Sequence, residues 1–311
     1  MSLPKVTVVG AGQVGATTAF LMALRGLADV VLVDVAEGIA RGKALDMMHA
    51  RSVERFASTV VGSGDYELSV DSDVVVITAG IPRRPGMSRE DLLATNGATV
   101  RSVIGSIRET SPDAVIVCVT NPLDVMTHVV WQASGLPASR VLGMGGVLDS
   151  ARFAYFIARA TGAQIDTIEA VVIGAHGDTM VPLPRFSTVR AAPLGTLLPP
   201  EEVAEIVRRT IDGGAEVVSL LESGSAYYAP AAAVTAMVAA ILGDTGAVMP
   251  CCVLLEGQYG LSGLHLNVPA ALGRSGVRGV VEWELTAQES AALRVSAASV
   301  AEVLASLEME N

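Results

Sequence analysis

The stretch VVGAGQVG, residues 8–15, sets three glycines between a β-branched run and a helix-like run. Gly10 permits a tight turn, Gly12 lets backbone approach a pyrophosphate, and Gly15 lets the following helix pack closely on the strand. The helix N-terminus then offers N–H donors to phosphate. The next β-branched run ends in Asp34, 19 residues beyond Gly15. A carboxylate there accepts both ribose hydroxyls of a dinucleotide and repels a 2′-phosphate, so the spacing predicts NAD in preference to NADP.

Working outward, β-branched runs at 5–10, 29–34, 58–63, 73–79 and 113–120 alternate with helix-like stretches at 13–26, 37–51, 89–110 and 122–134. The runs are apolar nearly throughout, as strands buried on both faces of a parallel sheet must be. Strand–helix–strand repetition predicts a Rossmann-type doubly wound parallel sheet. After about residue 143 the pattern changes to α+β: helices near 148–162, 199–222, 230–243 and 287–308, with strands near 168–174, 247–255 and 277–285. The expected division is a cofactor domain over 1–143 and a substrate domain over 144–311, tightly docked because no flexible linker joins them.

The bulk properties narrow the partners. Of 311 residues, 51% are apolar and 17% charged, which favours a well-buried interior and is compatible with an apolar subunit interface. The net charge of −11, from 21 basic and 32 acidic residues, argues against a nucleic-acid partner, whose phosphates a negative surface repels. A few arginines can still reverse the potential inside a cleft, so an anionic small substrate remains open. Cys118, Cys251 and Cys252 lack metal-ligand spacing and read as reduced thiols, placing the chain in the cytoplasm. The N-terminus runs straight into a strand, leaving no room for a signal peptide. The longest apolar run, 230–242, is shorter than the ~20 residues a membrane helix needs, so no membrane partner is expected.

Four further motifs carry chemistry. AGIPRRPGMSRED, 79–91, puts Arg83, Arg84 and Arg89 in a Pro/Gly-rich loop leaving a strand end. Such a loop is either a solvated turn or a cation-bearing flap over an anionic substrate. In CVTNPLDVM, 118–126, Asn121 precedes a proline; it reads equally as an Asx turn and as an amide that binds a ligand. GVLDSARF, 146–153, puts Asp149 and Arg152 on one face of a helix, either as a plain ion pair or as a histidine partner and a carboxylate clamp. VVIGAHGDTMV, 171–181, holds His176 in a glycine-bracketed turn with Asp178 two residues on.

Together these motifs, with SAYYAPAAAV at 225–234, resemble the lactate/malate dehydrogenase family over essentially the whole chain, and more closely its malate branch. The resemblance implies that His176 is the catalytic acid/base and that Asp149 holds its tautomer and raises its pKa. It implies Arg152 as the clamp on the substrate's C1 carboxylate, Arg89 as the group polarising the carbonyl, and Asn121 as the orienting amide. Arg83 stands where the lactate branch usually carries glutamine, which implies a second substrate carboxylate and hence a C4 dicarboxylate, malate or oxaloacetate. Cofactor contacts are implied at Gly10, Gly12, Gln13, Val14, Gly15, Asp34, Thr78, Ala79, Gly80, Asn96, Val119 and Asn121. A homodimer or homotetramer, through helix 37–51, is implied as well. No His/Asp/Glu spacing suggests a metal site, and hydride transfer to NAD requires none.

Asp149, not the neighbouring Asp178, is thus the expected partner of His176, with Asp178 fixing the turn through backbone hydrogen bonds. Ala175 replaces a glycine common in the malate branch, which would strain the turn if φ were positive there. His49, His128 and His265 have no comparable setting and are assigned to the surface or an interface. The rival readings are a lactate or other 2-hydroxy-acid dehydrogenase and a non-catalytic NAD-binding sensor.

Overall fold

Valine-rich runs that are apolar on both faces can only be buried between two helical layers, and the chain folds accordingly. The computed structural model describes residues 3–82 and 87–309. In chain order the first half comprises β1 (Lys5–Val9), α1 (Gln13–Leu24), β2 (Asp29–Val33), α2 (Glu37–Glu54), β3 (Val60–Ser63), β4 (Val74–Ile77), α3 (Arg89–Thr110), β5 (Val115–Cys118), α4 (Leu123–Ser134) and β6 (Val141–Gly143). These six strands are parallel in the order β3-β2-β1-β4-β5-β6, the doubly wound arrangement with its switch point between β1 and β4. All four residues of β4 and of β5 are buried. The fold class read from the sequence is borne out.

Local chemistry fixes the helix ends. Ser88 Oγ accepts from the Asp91 N–H at 3.0 Å while Asp91 Oδ2 accepts from the Ser88 N–H at 3.2 Å, a reciprocal cap that starts α3. In the second half follow α5 (Gly146–Thr161), β7 (Ile168–Glu169), β8 (Val172–Ile173), β9 (Val181–Pro182), β10 (Thr188–Val189), β11 (Ala192–Pro193), α6 (Pro200–Leu221), α7 (Tyr228–Leu242), β12 (Val248–Glu256), β13 (Ser262–Gly273), β14 (Gly276–Val280) and α8 (Ala287–Met309). Helix α6 opens on Pro200 with Glu201 and Glu202 beside its positive end. Helix α8 is long and apolar enough to cross a membrane, yet Leu293, Ala297, Val300, Val303 and Leu307 pack one of its faces into the core.

Three differences from the sequence expectations have physical causes. The run 168–174 is not one strand: β7 joins β10 and β11 in one small sheet and β8 joins β9 in another. The twelve-residue β13 lies outside the strands read from the sequence, and its Pro269 would ordinarily disfavour a ladder interior. In the structure Pro269 is the register partner of Pro250 on β12, so the missing donors fall on a single step. The antiparallel strands β12, β13 and β14 also extend the parallel sheet to nine strands, through the pairing of Cys252 with Gly143.

His128 and His265 are not at the surface either. They are 6% and 0% exposed, with their Nδ1 atoms 3.1 Å apart beside Trp131. Burial, then the neighbouring His128, pushes the His265 pKa down to about 3, so His265 is packed as a neutral imidazole. His49 is exposed on α2.

Helix α1 approaches the β1 turn closely at Gly15, where a Cβ would overlap the Gly10 carbonyl oxygen and lie 2.7 Å from Thr78 Oγ1. Gly15→Ala must therefore push α1 off the β1 turn. Loss of about 1–3 kcal/mol of stability is expected, together with weakened NADH binding, read by chemical denaturation and by NADH fluorescence titration.

Candidate active site

Every strand of the parallel sheet points its carboxyl end at one rim, so the loops after β1, β2, β4, β5 and β6 converge there. At Gly10 φ is +104°, and an added Cβ would stand 2.7 Å from Thr78 Oγ1 and 2.8 Å from the Ala79 N. Asp34, at the end of β2, accepts from the Ala11 N–H through Oδ2 at 2.7 Å and from the Ala36 N–H through Oδ1 at 2.9 Å. Lys43 of α2 donates to the Ala11 carbonyl at 2.8 Å. The glycine turn is thus clamped from both sides before any ligand arrives.

The neighbouring loops are stapled to one another. Asn96, 1% exposed, accepts from the Ile81 N–H at 2.8 Å and donates to the Asn121 carbonyl at 2.7 Å. Thr120 Oγ1 donates to the Ala79 carbonyl at 2.7 Å. A cleft of 610 Å³ opens over this surface, lined by Gly12, Gln13, Val14, Gly15, Thr78, Gly80, Asn96, Val119 and Asn121 among others. Of the cofactor residues implied by the resemblance, Gly10, Asp34 and Ala79 do not line it; they lie in or against the turn beneath. Glycines where a side chain would fill the cradle, and a carboxylate at the end of β2, fit a bound NAD.

A second cleft, of 330 Å³, shares Val14, Val119 and Asn121 with the first and is lined further by Arg152, His176 and Asp178. His176 Nδ1 lies 2.8 Å from Asp149 Oδ2, and Arg152 Nη1 donates to Asp149 Oδ1 at 3.2 Å. The Asp149 carboxylate side chain is 2% exposed and those of His176 and Arg152 are 16% and 17% exposed, so one buried anion orients two groups that reach the cleft. Burial disfavours the imidazolium, but the charge and hydrogen bond of Asp149, then the charge of Asp124, outweigh it against Arg152, and the His176 pKa is raised.

The turn itself is held differently from the sequence expectation. Asp178 is exposed, and no hydrogen bond to its side chain is present among the described residues. Instead Ser296 Oγ accepts from the Ala175 N–H at 2.7 Å, and Asp124 Oδ2 accepts from the His176 N–H at 2.8 Å. The positive φ values fall on Gly174 (+88°) and Gly177 (+156°) and not on Ala175, so the extra methyl costs no backbone strain.

Arg83 and Arg84 lie outside the described residues, and of Arg89 only the backbone, the first residue of α3, is described. Asp124 and Asn267 were missed. In sequence an aspartate in a first helical turn reads as a complement to the helix dipole, and nothing there signals that it is buried. A larger cleft of 690 Å³, walled by Asp73, Asp113, Arg140 and Asp244, sits at the amino ends of β4, β5 and β6. It faces away from the glycine turn, and chemistry outweighs volume in choosing the site.

A dinucleotide cradle opening onto a carboxylate-held histidine and an arginine defines an NAD-dependent dehydrogenase. Residues 4–143 match the family model for the lactate/malate dehydrogenase NAD binding domain, and residues 146–310 match that for its alpha/beta C-terminal domain. The chain belongs to the lactate/malate dehydrogenase family. It is 51% identical to the malate dehydrogenase of Thermomicrobium roseum, over 96% of this chain and 97% of that protein. The crystallographic malate dehydrogenase of Salinibacter ruber superposes with a TM-score of 0.94 at 45% identity, covering 98% of each chain. A lactate dehydrogenase of Cryptosporidium parvum, complexed with lactic acid and nicotinamide adenine dinucleotide, superposes with a TM-score of 0.95 at 41% identity over 99% of each chain. One fold thus serves both substrates, and the choice between them rests on side chains.

Two outcomes follow from this geometry. Asp149→Asn is expected to lower turnover on the order of 10²-fold or more, while Asp178→Asn changes it by about twofold or less, measured by steady-state kinetics on folded variants. Because the folded pKa of His176 lies above its unfolded value of 6.5, its pairing contributes stability that is full below the unfolded value and is lost as pH rises through the folded one. Urea unfolding of the cofactor-free protein over that window should show this loss in the wild type and not in His176→Gln.

Proposed function

We propose that the chain is an NAD-dependent dehydrogenase that interconverts malate and oxaloacetate, with His176 as the general acid/base. The observation that carries the reading is the His176–Asp149 pair at 2.8 Å in a cleft that shares Val14, Val119 and Asn121 with the dinucleotide cradle. With Nδ1 engaged by Asp149, Nε2 is the nitrogen left to face substrate. In oxaloacetate reduction His176 gives a proton to the carbonyl oxygen, and in malate oxidation the neutral ring takes it from the hydroxyl. When bound, NAD would provide the hydride chemistry, with the oxidised form paired to malate and the reduced form to oxaloacetate. Asp149 fixes the ring and offsets the imidazolium charge.

Arg152 spends one N–H on Asp149 and keeps others for the C1 carboxylate of the substrate. Arg89 is assigned to polarising the reacting carbonyl, Asn121 to orienting the substrate, and Arg83 to the distal carboxylate of the C4 acid. A guanidinium closed over the cleft without a counter-charge is costly, which favours a diacid over pyruvate or lactate. Residues 1–143 hold the cofactor and lend Arg83, Arg89 and Asn121, while residues 144–311 supply the acid/base and the clamp. The cofactor contacts are those of the glycine turn, Asp34, and the loops at Thr78–Gly80, Asn96 and Val119–Asn121.

A homodimer or homotetramer in the cytoplasm completes the proposal. Ile39, Leu45 and Val53 of α2 are 53%, 59% and 78% exposed, apolar surface that a subunit contact would cover. Light scattering after gel filtration reads the assembly.

Following NADH absorbance with oxaloacetate and then pyruvate tests the reading. Oxidation of NADH with oxaloacetate far exceeding that with pyruvate is expected; equal rates would remove the C4 assignment, and no rate with either would leave an NAD-binding sensor. Arg83→Gln should cut the preference for oxaloacetate by on the order of 2–5 kcal/mol in kcat/KM, and an unchanged ratio would sink the role of Arg83.

A further inference from the structure

Behind His176 lies a second buried carboxylate that the acid/base chemistry does not require. Asp124, in the first turn of α4, is 4% exposed. Its Oδ2 accepts from the His176 main-chain N–H at 2.8 Å, and its Oδ1 accepts from Asn267 Nδ2 at 3.0 Å and from the Cys252 thiol at 3.4 Å. Among the described residues no lysine or arginine pairs with it. A buried carboxylate without a cation is unfavourable unless something nearby benefits from its charge.

Asn267 shows how Asp124 is built in. Besides donating to Asp124, its Nδ2 donates to the Gly174 carbonyl at 3.0 Å, and its Oδ1 accepts from the Gly146 N–H at 2.7 Å. One amide therefore registers the start of α5, which carries Asp149, against the His176 turn and against α4. Its oxygen is committed to Gly146, so its nitrogen must point at Asp124. A neutral amide at position 124 would then set a donor against either Asn267 or the His176 N–H. Two acceptor oxygens are needed, and only a carboxylate offers both.

We propose that Asp124 is a positioning residue for the acid/base, holding the His176 main chain in register with Asp149 and supplying a second negative charge behind the ring. The proposal rests on His176 being the acid/base. Burial, opposed by the bond from the His176 main chain and by the histidine's charge, pushes the Asp124 pKa up to about 6. That is close to where an imidazole titrates, so the carboxylate and the imidazolium each favour the charged form of the other. Among the described residues, the other charged groups facing His176 are Asp149 and Arg152 from α5, Asp178 on its own turn and Asp212 from α6. Cys252 and Cys118 lie behind Asp124 with thiols that burial keeps protonated, and α8 contributes the Ser296 hydroxyl.

The test is an NMR titration of the full-length enzyme labelled with ¹⁵N-histidine, tractable because the chain has four histidines, with the His176 signals assigned by their loss in His176→Gln. In Asp124→Asn the His176 midpoint should fall by roughly one pH unit, the acid limb of malate oxidation should move down with it, and kcat should drop more than KM rises. NADH binding, read by fluorescence, should be unchanged. A folded Asp124→Asn protein with the wild-type His176 midpoint overturns the proposal, since a purely structural role would lower only Tm. If that variant does not fold, Cys252→Ser decides: its hydroxyl donates more strongly to Oδ1, so the low-pH inflection that His176 senses from Asp124 should move down, and an unmoved inflection overturns the proposal. Activity surviving in His176→Gln would instead remove the acid/base reading, and the ring titrations would still report on Asp124.

Discussion

Asp149, its side chain 2% exposed at the head of α5, is the constraint around which the His176 cleft is arranged. An anion so deep in the protein has to be met by cations and donors, because isolated it would cost several kcal/mol. Here the meeting is divided: one oxygen takes His176 at 2.8 Å and the other Arg152 at 3.2 Å. The two side chains that reach the cleft are therefore fixed relative to each other by a single group on a rigid helix. Removing the carboxylate would free the ring, release the guanidinium and lower the basicity of the imidazole at once.

That cluster is useful only because the sheet delivers the cofactor cradle to the same rim. The glycine turn after β1 and the loops after β4 and β5 are tied together by Thr78, Asn96 and Thr120. Their shared wall of Val14, Val119 and Asn121 is also the wall of the histidine cleft.

The nucleotide half was legible because its signals are local. Doubly buried valine runs, a glycine turn and an acid at a fixed distance all survive without knowledge of the tertiary fold. The partnership of His176 with Asp149 was one of two readings of the GVLDSARF helix, and family likeness chose it over the nearer Asp178. What escaped was decided by packing: β13 and the burial of His128 and His265 depended on strands that arrive from far along the chain. Asp124 escaped for the same reason, as its importance lies in what Asn267, 143 residues away, presses against it.

The continuity of the nine-stranded sheet across Gly143 and Cys252 sets how the enzyme can breathe. Many two-domain enzymes admit ligands by a hinge, with the halves swinging apart about a linker. Here such a swing would tear a hydrogen-bonded sheet and the buried Asn267 contacts that straddle the same line. The spacing between the glycine turn and His176 is therefore inherited from the scaffold.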